Sequence, residues 1–267
     1  GRIGSGAERP QWGWPRRRVG VKRIHQAGPA HLAAPVRTDA RARIGANLGS
    51  LMDDIAFMHA VGMKIVIVHG GGKAISRAIR ESGHEPKFVD GLRVTDETTM
   101  EIVRRTLNKV VNPDLVRRLQ LRGSNARPLH GNWIFTARKI AAPDRGYVGE
   151  VTEVDARVVT EMLDAGIIPV ITPLGTGADD DHLYNVNADF AAAALAKALK
   201  VLKFVLVSDV PGLLKDPNDP TTLFSTLHLG DTAALKADGT IAGGMLPKIE
   251  SCEDAIRSGV HKVQLVD

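Results

Sequence analysis

The stretch at residues 66–76 reads VIVHGGGKAIS, an apolar run that breaks into three glycines and a lysine. A β-branched strand, a glycine turn and a helix-like segment, in this order, direct backbone N–H groups and a helix N-terminus at an anion. Neither common phosphate fingerprint is satisfied. A Walker A loop requires glycine at position 67 and the dinucleotide pattern requires glycine at position 75, but both are isoleucine. The stretch therefore predicts either another kind of anion-binding turn or a tight strand-to-helix turn without a ligand.

The composition excludes several classes of protein. The 267 residues are 43% hydrophobic and 24% charged, which is ordinary for a globular domain, and the formal net charge is +5. Residues 1–43 carry ten Lys or Arg and two Asp or Glu, so the remainder carries 25 basic and 28 acidic residues. Because the positive charge belongs to this stretch, we expect no nucleic-acid partner. No apolar run approaches the roughly 18 residues that span a bilayer, so no membrane partner is expected.

The N-terminal stretch and the single cysteine give three further expectations. Residues 1–43 are rich in Gly, Pro and Arg without hydrophobic periodicity, which predicts a tail that is disordered or foreign to the fold. Cys252 cannot form an internal disulfide, and its solitary presence fits a reducing compartment such as the cytoplasm. Because Cys252 lies in a helical pattern, we expect a buried structural thiol rather than a nucleophile.

From Ile44 onward, helical and extended patterns alternate. Apolar residues recur at three- and four-residue steps from Ile44 to Met58, as on one face of a helix. The extended segments 133–140 and 146–154 predict a hairpin-like insertion. The alternation as a whole predicts an α/β fold, a three-layer αβα sandwich around a mainly parallel sheet. Further helices are predicted at about 73–81, 97–107, 155–165, 188–199 and 247–258. One more helix is predicted to begin at Asn112 and Pro113, with Asn112 as its cap and Pro113 at its first position. Strands are predicted at 64–68, 167–172, 204–208 and 262–266.

Two stretches carry polar residues next to predicted helices. Arg93 follows a glycine and precedes a helix start, where its guanidinium could bind a carboxylate or simply be solvated. Asn185, Asn187 and Asp189 precede an alanine-rich helix. One of the three is expected to cap that helix, which leaves the other two for a binding edge.

Two later stretches suggest a second anionic group. Residues 208–214 (SDVPGLL) end a buried strand with an acidic residue and a turn, where ligands of open α/β sheets collect. Residues 239–248 (GTIAGGMLPK) place two glycines four and five positions before Lys248. A second glycine-rich turn with a lysine indicates that the site binds either two anionic groups or one anionic group that is transferred. The alternative without a ligand is that Lys248 is exposed and solvated.

Together these stretches resemble the amino-acid kinase family, and within it the branch that phosphorylates N-acetyl-L-glutamate in arginine biosynthesis. The resemblance implies the fold of that family, with an acetylglutamate-binding lobe over 44–175 and a nucleotide-binding lobe over 176–267. It also implies a transferase that uses ATP and Mg²⁺ and forms a homo-oligomer. The resembling segments follow the family's order: VIVHGGGKAIS, GLRVTDETTMEIV, GYVGEVTEV, IIPVITPLG, YNVNADFAAAALAKAL, LVSDVPGLL and AGGMLPKIESCEDAIRSGV.

The resemblance also implies a role for each site residue. Backbone N–H groups of the glycine turn would meet the substrate and the phosphoryl group in transit, Arg93 would hold a substrate carboxylate, and Lys248 would stabilise phosphoryl charge. Asp189 would organise the catalytic lysines, and no protein ligand to a metal is expected. The implied residues are Gly71, Gly72, Arg93, Asn185 and Asn187 for the substrate, Asp189 and Lys248 for catalysis, and Ser208, Asp209, Val210, Gly212 and Leu213 for the nucleotide.

Two features depart from the family's pattern. The family begins with a strand ending in K-x-G-G, whose lysine contacts the transferring phosphate; the candidate here is Lys22, which no paired glycine follows. The family also continues beyond the final strand 262–266, so the fold is expected to be incomplete at both ends. A catalytically impaired, kinase-like binding or regulatory protein is therefore an open alternative. A nicotinamide-binding oxidoreductase is weaker, because the dinucleotide spacing fails.

Overall fold

The computed structural model describes residues 31–36 and 44–266, with side chains from Leu48 onward. Strands and helices alternate along most of this range. The strands are β1 (His31–Val36), β2 (Lys64–His69), β3 (Phe88–Val89), β4 (Leu92–Arg93), β5 (Ala126–Leu129), β6 (Phe135–Lys139), β7 (Val148–Val154), β8 (Ile168–Ile171), β9 (Leu174–Gly177), β10 (Leu183–Val186), β11 (Lys203–Val207) and β12 (Lys262–Val266). The helices are α1 (Ile44–Ala60), α2 (Gly72–Glu81), α3 (Glu97–Thr106), α4 (Asn112–Gln120), α5 (Arg157–Asp164), α6 (Ala188–Ala198), α7 (Thr232–Ala237) and α8 (Leu246–Arg257).

Six strands form a parallel sheet in the order β12-β11-β1-β2-β8-β5. Every neighbouring pair in this sheet is parallel. Strands β2 and β8 are buried along almost their whole length, which explains why their sequences are continuous apolar runs. The four strands predicted from apolar runs all belong to this sheet. The prediction of a mainly parallel sheet is confirmed.

Helices cover both faces of the sheet, and β2 illustrates how. Ile65 and Ile67 pack into one core with residues of α1 and α4, whereas Val66 and Val68 pack into a second core with residues of α5, α6 and α8. Successive side chains of a strand point to opposite faces, so one short segment supplies both cores. The predicted three-layer αβα arrangement is confirmed.

A small closed barrel of β6, β7, β9 and β10 stands beside the sheet. The predicted hairpin is the antiparallel pair β6–β7. Its interior is narrow: a Cβ on Gly149 would lie 2.9 Å from the Cβ of Tyr184, and one on Gly175 would lie 2.8 Å from the Cβ of Ala137. Glycine at these positions therefore lets the strands close. β9 and β10 were not predicted, because they are four residues long and, in β9, half glycine.

The long helical segment 97–120 differs from the prediction at Asn112. A π-helical turn (Leu107–Val111) joins α3 to α4 without a break, and Asn112 itself has helical backbone angles (φ −59°, ψ −50°). Asn112 is thus not a helix cap, and its side chain is fully buried. Pro113 is tolerated because it follows the turn, where the hydrogen-bond ladder changes register.

The strand β1 lies within residues 1–43, for which the sequence predicts a tail. Its backbone runs between β11 and β2, and Val36 pairs with His69 at the end of β2 that carries the glycine turn. These six residues therefore extend the sheet beyond the predicted boundary at residue 44. Lys22 lies outside the described residues, as do the rest of 1–30 and 37–43.

The cores make a direct prediction about stability. Leu119 is fully buried between α4 and the sheet, whereas Leu121, two residues later, is 72% exposed. We expect Leu119→Ala to lower the free energy of unfolding by about 2–5 kcal/mol, because it removes buried methyl groups and leaves a cavity. The matched substitution Leu121→Ala should change it by less than about 0.5 kcal/mol. Urea denaturation measures both, and equal effects would contradict the assignment of the core.

Candidate active site

One cavity of about 140 Å³ joins the glycine turn to polar residues that are distant in sequence. It opens beside the carboxyl ends of β2 and β8, the edge at which parallel sheets bind ligands, and next to the end of β10 in the barrel. Its lining includes Gly70, Gly71, Gly72, Arg93, Asn185, Asn187 and Asp189, together with apolar side chains such as Ile75, Phe88 and Leu107.

The glycine turn leads directly into α2 and presents its N-terminus to the cavity. Gly71 is the residue before the helix, and its carbonyl accepts the N–H of Ile75 at 2.8 Å. In the described part of the chain, no side chain caps this end, and the first turn holds no acidic residue. The leading N–H groups and the positive end of the helix dipole therefore remain available to an anion. This arrangement favours the anion-binding interpretation over a turn without a ligand.

The turn rests on a tightly packed apolar floor. A Cβ on Gly71 would lie 2.9 Å from Leu107 Cδ2 and 3.6 Å from Val111 Cγ2, both in the π-helical turn. Glycine at this position lets the turn lie close to these side chains, which any added Cβ would displace. The residue preceding the turn, His69, is fully buried beneath it.

His69 is held by two hydrogen bonds that define its protonation. Asn112 Nδ2, a donor only, lies 3.0 Å from His69 Nε2, so Nε2 must be the unprotonated nitrogen. Nδ1 then carries the proton and donates to the carbonyl of Gly70 at 2.9 Å. Burial lowers the pKa of His69 to about 4, although the hydrogen bond to Gly70 acts in the opposite direction. The ring is neutral at physiological pH.

Arg93 is buried rather than solvated. Its Nη2 donates to the carbonyl of Gly72 at 2.9 Å and to Ser76 Oγ at 2.8 Å, and its guanidinium lies 4.6 Å from the ring centre of Phe88. The guanidinium is thus fixed to the first turn of α2 while it lines the cavity. A positive charge held here can recognise a carboxylate with little loss of side-chain entropy.

The hairpin β3–β4 carries Arg93 and is itself clamped. Asp90 and Gly91 form its turn with φ values of 49° and 76°, the left-handed conformation that such two-residue turns require. Arg145, only 5% exposed, donates from Nη2 to Asp90 Oδ2 at 2.6 Å and from Nε to the carbonyl of Val89 at 3.2 Å. Arg145 therefore fixes the hairpin against the segment that precedes β7.

The two asparagines have different partners. Asn185 Nδ2 donates to Thr95 Oγ1 at 3.2 Å, and that hydroxyl in turn donates to the carbonyl of Arg93 at 2.9 Å. Asn187 is the cap of α6, because its Oδ1 accepts the N–H groups of Asp189 and Phe190. Capping therefore belongs to Asn187, and its side chain also borders the cavity.

Asp189 and Lys248 form a buried ion pair. Lys248 Nζ lies 3.2 Å and 3.4 Å from the two carboxylate oxygens of Asp189, and the two residues are 2% and 6% exposed. Asp189 borders the cavity, whereas Lys248 reaches it from α8 through this pair. The alternative of an exposed, solvated Lys248 is therefore excluded. A charge removed from water in this way needs its partner, so the pair is held together.

The turn at 208–214 is close to the glycine turn but is only partly inside a cavity. Asp209 Oδ2 lies 3.7 Å from Nζ of Lys73, the residue that follows the three glycines. Gly212 and Leu213 line a second cavity of about 540 Å³ between this turn, α8 and β12. Ser208, Asp209 and Val210 line neither cavity.

Five residues of the site were not predicted from sequence. Ser76 and Thr95 bond to Arg93, Arg145 clamps its hairpin, and His69 and Asn112 lie under the glycine turn. The Asp-Gly pair at 90–91 was a usable hairpin signal. The contacts of these five residues depend on tertiary packing, which the spacing of residues along the sequence does not reveal.

Comparison with known proteins identifies the family. A family model described as the amino acid kinase family matches residues 36–267, most of the chain. The chain belongs to the amino acid kinase family. Its relatives in this family include an acetylglutamate kinase of Akkermansia muciniphila, 44% identical over 224 residues that cover 81% of this chain and 75% of that protein. Another acetylglutamate kinase, from Clostridium beijerinckii, is 42% identical over 221 residues, which cover 82% of this chain and 78% of that protein.

A solved structure agrees with this amino acid kinase fold. The protein smu.665 from Streptococcus mutans UA159 superposes with a TM-score of 0.79 at 28% identity, covering 89% of this chain and 94% of that one. Among the described residues, no helix is long and apolar enough to cross a membrane.

The buried histidine predicts how stability depends on pH. The folded pKa of His69 is about 4, against about 6.5 in an unfolded chain. Between these values the unfolded state binds more protons, so the free energy of unfolding should fall as the pH is lowered from about 6.5 to about 4, by up to about 3 kcal/mol. Urea titrations across this range would measure the loss. His69→Leu should remove this component and the exposed His228→Leu should not; identical profiles for the two variants would contradict the assignment.

Proposed function

We propose that this amino acid kinase is an acetylglutamate kinase, which transfers the γ-phosphoryl group of ATP to the γ-carboxylate of N-acetyl-L-glutamate in arginine biosynthesis. The observation that carries the proposal is the cavity that brings together the glycine turn, Arg93, Asn185 and Asp189, whose carboxylate is paired with Lys248. Relatives of that name at above 40% identity over most of the chain support the same substrate.

The cavity offers complementary groups for an acylated dicarboxylic acid. Arg93 supplies a fixed positive charge for one carboxylate, held by Gly72 and Ser76. Asn185, oriented by Thr95, supplies an amide for the remaining polar groups of the amino acid. The second carboxylate would then point towards the N–H groups at the start of α2.

Phosphoryl transfer needs no general base in this arrangement. The γ-carboxylate of the substrate, with a glutamate-like pKa of about 4.3, is already ionised at neutral pH. Its oxygen forms a bond to the γ-phosphorus while the bond between that phosphorus and the bridging oxygen of ADP breaks, and no proton moves. Catalysis then consists of positioning and of stabilising the charge on the transferring group.

Two positively polarised groups would stabilise that charge. The backbone N–H groups of Gly71 and Gly72, at the start of α2, would bind the transferring oxygens from one side. Lys248 would do so from the other, while Asp189 holds its ammonium group in place. Because both charges of the pair are desolvated, their field acts on the phosphoryl group with little screening.

The nucleotide would lie near the carboxyl ends of β11 and β12. We propose that the turn at 208–214 borders it, with the second cavity beneath Gly212 and Leu213. The described residues hold no group of three His, Cys, Asp or Glu side chains that could bind a metal. We propose that magnesium arrives on the phosphates of ATP and neutralises part of their charge.

Several features of the proposal follow from the family rather than from the cavity. We propose two lobes, 44–175 for acetylglutamate and 176–267 for the nucleotide, a homo-oligomer, and a cytoplasmic reaction. A kinase-like protein without turnover is less favoured, because the relatives above 40% identity are named as kinases. The role of Lys22 stays a prediction.

The proposal is tested by acceptor-dependent ADP release from MgATP. We expect turnover with N-acetyl-L-glutamate and at least a hundredfold lower kcat/KM with glutamate, carbamate or UMP. Calorimetric titration with acetylglutamate, run in parallel, distinguishes a binding protein from an enzyme. A well-folded sample that releases no ADP with any acceptor would overturn the proposal, and binding without turnover would establish the alternative.

Replacing Arg93 should affect the binding of acetylglutamate more than the chemical step. Arg93→Lys removes the planar fork that reaches Gly72 and Ser76 and leaves a mobile point charge. We expect the KM for acetylglutamate to rise at least about tenfold, with kcat changed less. Steady-state kinetics with saturating MgATP measure this. The control Arg104→Lys, on the exposed pair with Glu101, should leave both constants unchanged; equal effects would contradict the role of Arg93.

Replacing Lys248 should affect kcat. We expect Lys248→Met to lower kcat by about 10²–10³-fold, the range for loss of one preorganised electrostatic group. Lys197→Met is the control, because Lys197 is exposed on α6 and lines neither cavity. A Lys248→Met variant that retains more than half of the wild-type kcat would contradict this assignment.

A further inference from the structure

We propose that His69 and Asn112 are positioning residues, which orient the glycine turn so that its N–H groups face the transferring phosphoryl group. The proposal rests on the proposed function, because it names what holds that site in its active geometry. Neither side chain lines the cavity, so neither is a catalytic residue.

The two side chains form a continuous line of hydrogen bonds from the sheet to the turn. Asn112 Nδ2 donates to the carbonyl of Val170 in β8 at 2.8 Å and to His69 Nε2 at 3.0 Å. His69 Nδ1 then donates to the carbonyl of Gly70 at 2.9 Å. The first carbonyl of the glycine turn is thereby tied to a central strand.

The direction of this line is fixed by donor and acceptor chemistry. The carbonyl of Val170 can only accept, so the amide nitrogen of Asn112, and not its oxygen, must face it. The same nitrogen supplies the hydrogen for His69 Nε2, which places the ring proton on Nδ1. Only this tautomer can donate to the carbonyl of Gly70. Asn112 therefore selects the form of the histidine that binds the turn.

Holding that carbonyl also orients the next amide. In a trans peptide the C=O of one residue and the N–H of the next point in opposite directions. Because the carbonyl of Gly70 points down to the buried ring, the N–H of Gly71 points away from it, towards the side on which the cavity lies. A peptide flip at this bond would reverse the N–H, and the hydrogen bond from His69 opposes that flip.

The burial of this pair argues for a role beyond packing. His69 and Asn112 are both fully buried, and Asn112 Oδ1 has no hydrogen-bond partner among the described residues. An unsatisfied buried oxygen and a neutral histidine are both unfavourable relative to apolar side chains of similar size. The two side chains supply donors to the carbonyls of Val170 and Gly70, which would be left unpaired if both side chains were apolar. The pair therefore ties the turn to the sheet and does more than fill space.

The π-helical turn brings Asn112 to this position. Leu107 and Val111 of that turn lie 2.9 Å and 3.6 Å from the position that a Cβ on Gly71 would take, and Asn112 follows immediately. The same element thus supplies the apolar floor and the amide that sets the ring. Such π-helical turns occur often at functional sites, where they re-aim one side chain.

Kinetics of single and paired variants test the proposal. We expect Asn112→Val and His69→Leu each to lower kcat at least tenfold, with KM for MgATP and acetylglutamate changed less than threefold. The double variant should be no worse than either single variant, because both break one line of hydrogen bonds. It should also lose less stability to urea than the sum of the two single losses, because the hydrogen bond between the two side chains is already lost in each single variant.

Val116→Ala is the matched control. Val116 lies one turn further along α4, packs in the core with residues of α1 and does not line the cavity. It should lower stability while leaving kcat within twofold of wild type. If it lowers kcat as much as Asn112→Val at equal loss of stability, the role of Asn112 is structural and the proposal is overturned.

Two measurements on the protein without turnover keep this test separate from the proposed function. Nitrogen-15 spectra of the histidine ring should show His69 protonated on Nδ1 in the wild type, and an Nε2-protonated ring overturns the proposal. Amide hydrogen exchange at Gly71 and Gly72 should be at least tenfold faster in Asn112→Val than in wild type and Val116→Ala. Unchanged exchange overturns the positioning role, whereas failure of the wild type to phosphorylate any acceptor would overturn only the proposed function.

Discussion

The fixed register of β2 is the constraint on which the rest of the site depends. Ile65, Ile67, Val66 and Val68 are buried on alternate faces, so a shift of one residue would exchange the contents of two cores. The residue that follows this strand must therefore always arrive at the same point. The glycine turn, the start of α2 and the histidine beneath them inherit their positions from a strand that cannot slide.

Around this anchor, the polar residues of the site are positioned by partners taken from other elements. Arg93 is attached to α2, its hairpin to Arg145, and Lys248 to Asp189. Each of these charges is largely removed from water, where an unpaired charge would be strongly unfavourable. The packing that removes these charged side chains from water also fixes their positions, so the site is preorganised for its substrate.

The helices and strands that bury apolar residues could be predicted from the sequence, whereas the roles of side chains that depend on tertiary contacts could not. Apolar periodicity was sufficient for α1, and continuous apolar runs were sufficient for the buried strands β2 and β8. The same reasoning failed at Asn112, because a cap signal and a buried amide look alike without the neighbouring strand. Candidate site residues could be grouped from their positions at strand and helix ends, whereas the roles of His69 and Arg145 depend on partners far away in sequence.

The π-helical turn between α3 and α4 fixes the number of residues that the continuous helical segment 97–120 must contain. Deleting one residue there would restore a regular α-helix but rotate everything after it by about 100°. Asn112 would lose its hydrogen bond to His69, and Leu115 and Leu119 would no longer face the core. Over evolution, this segment should accept many substitutions on its exposed face and almost no insertions or deletions.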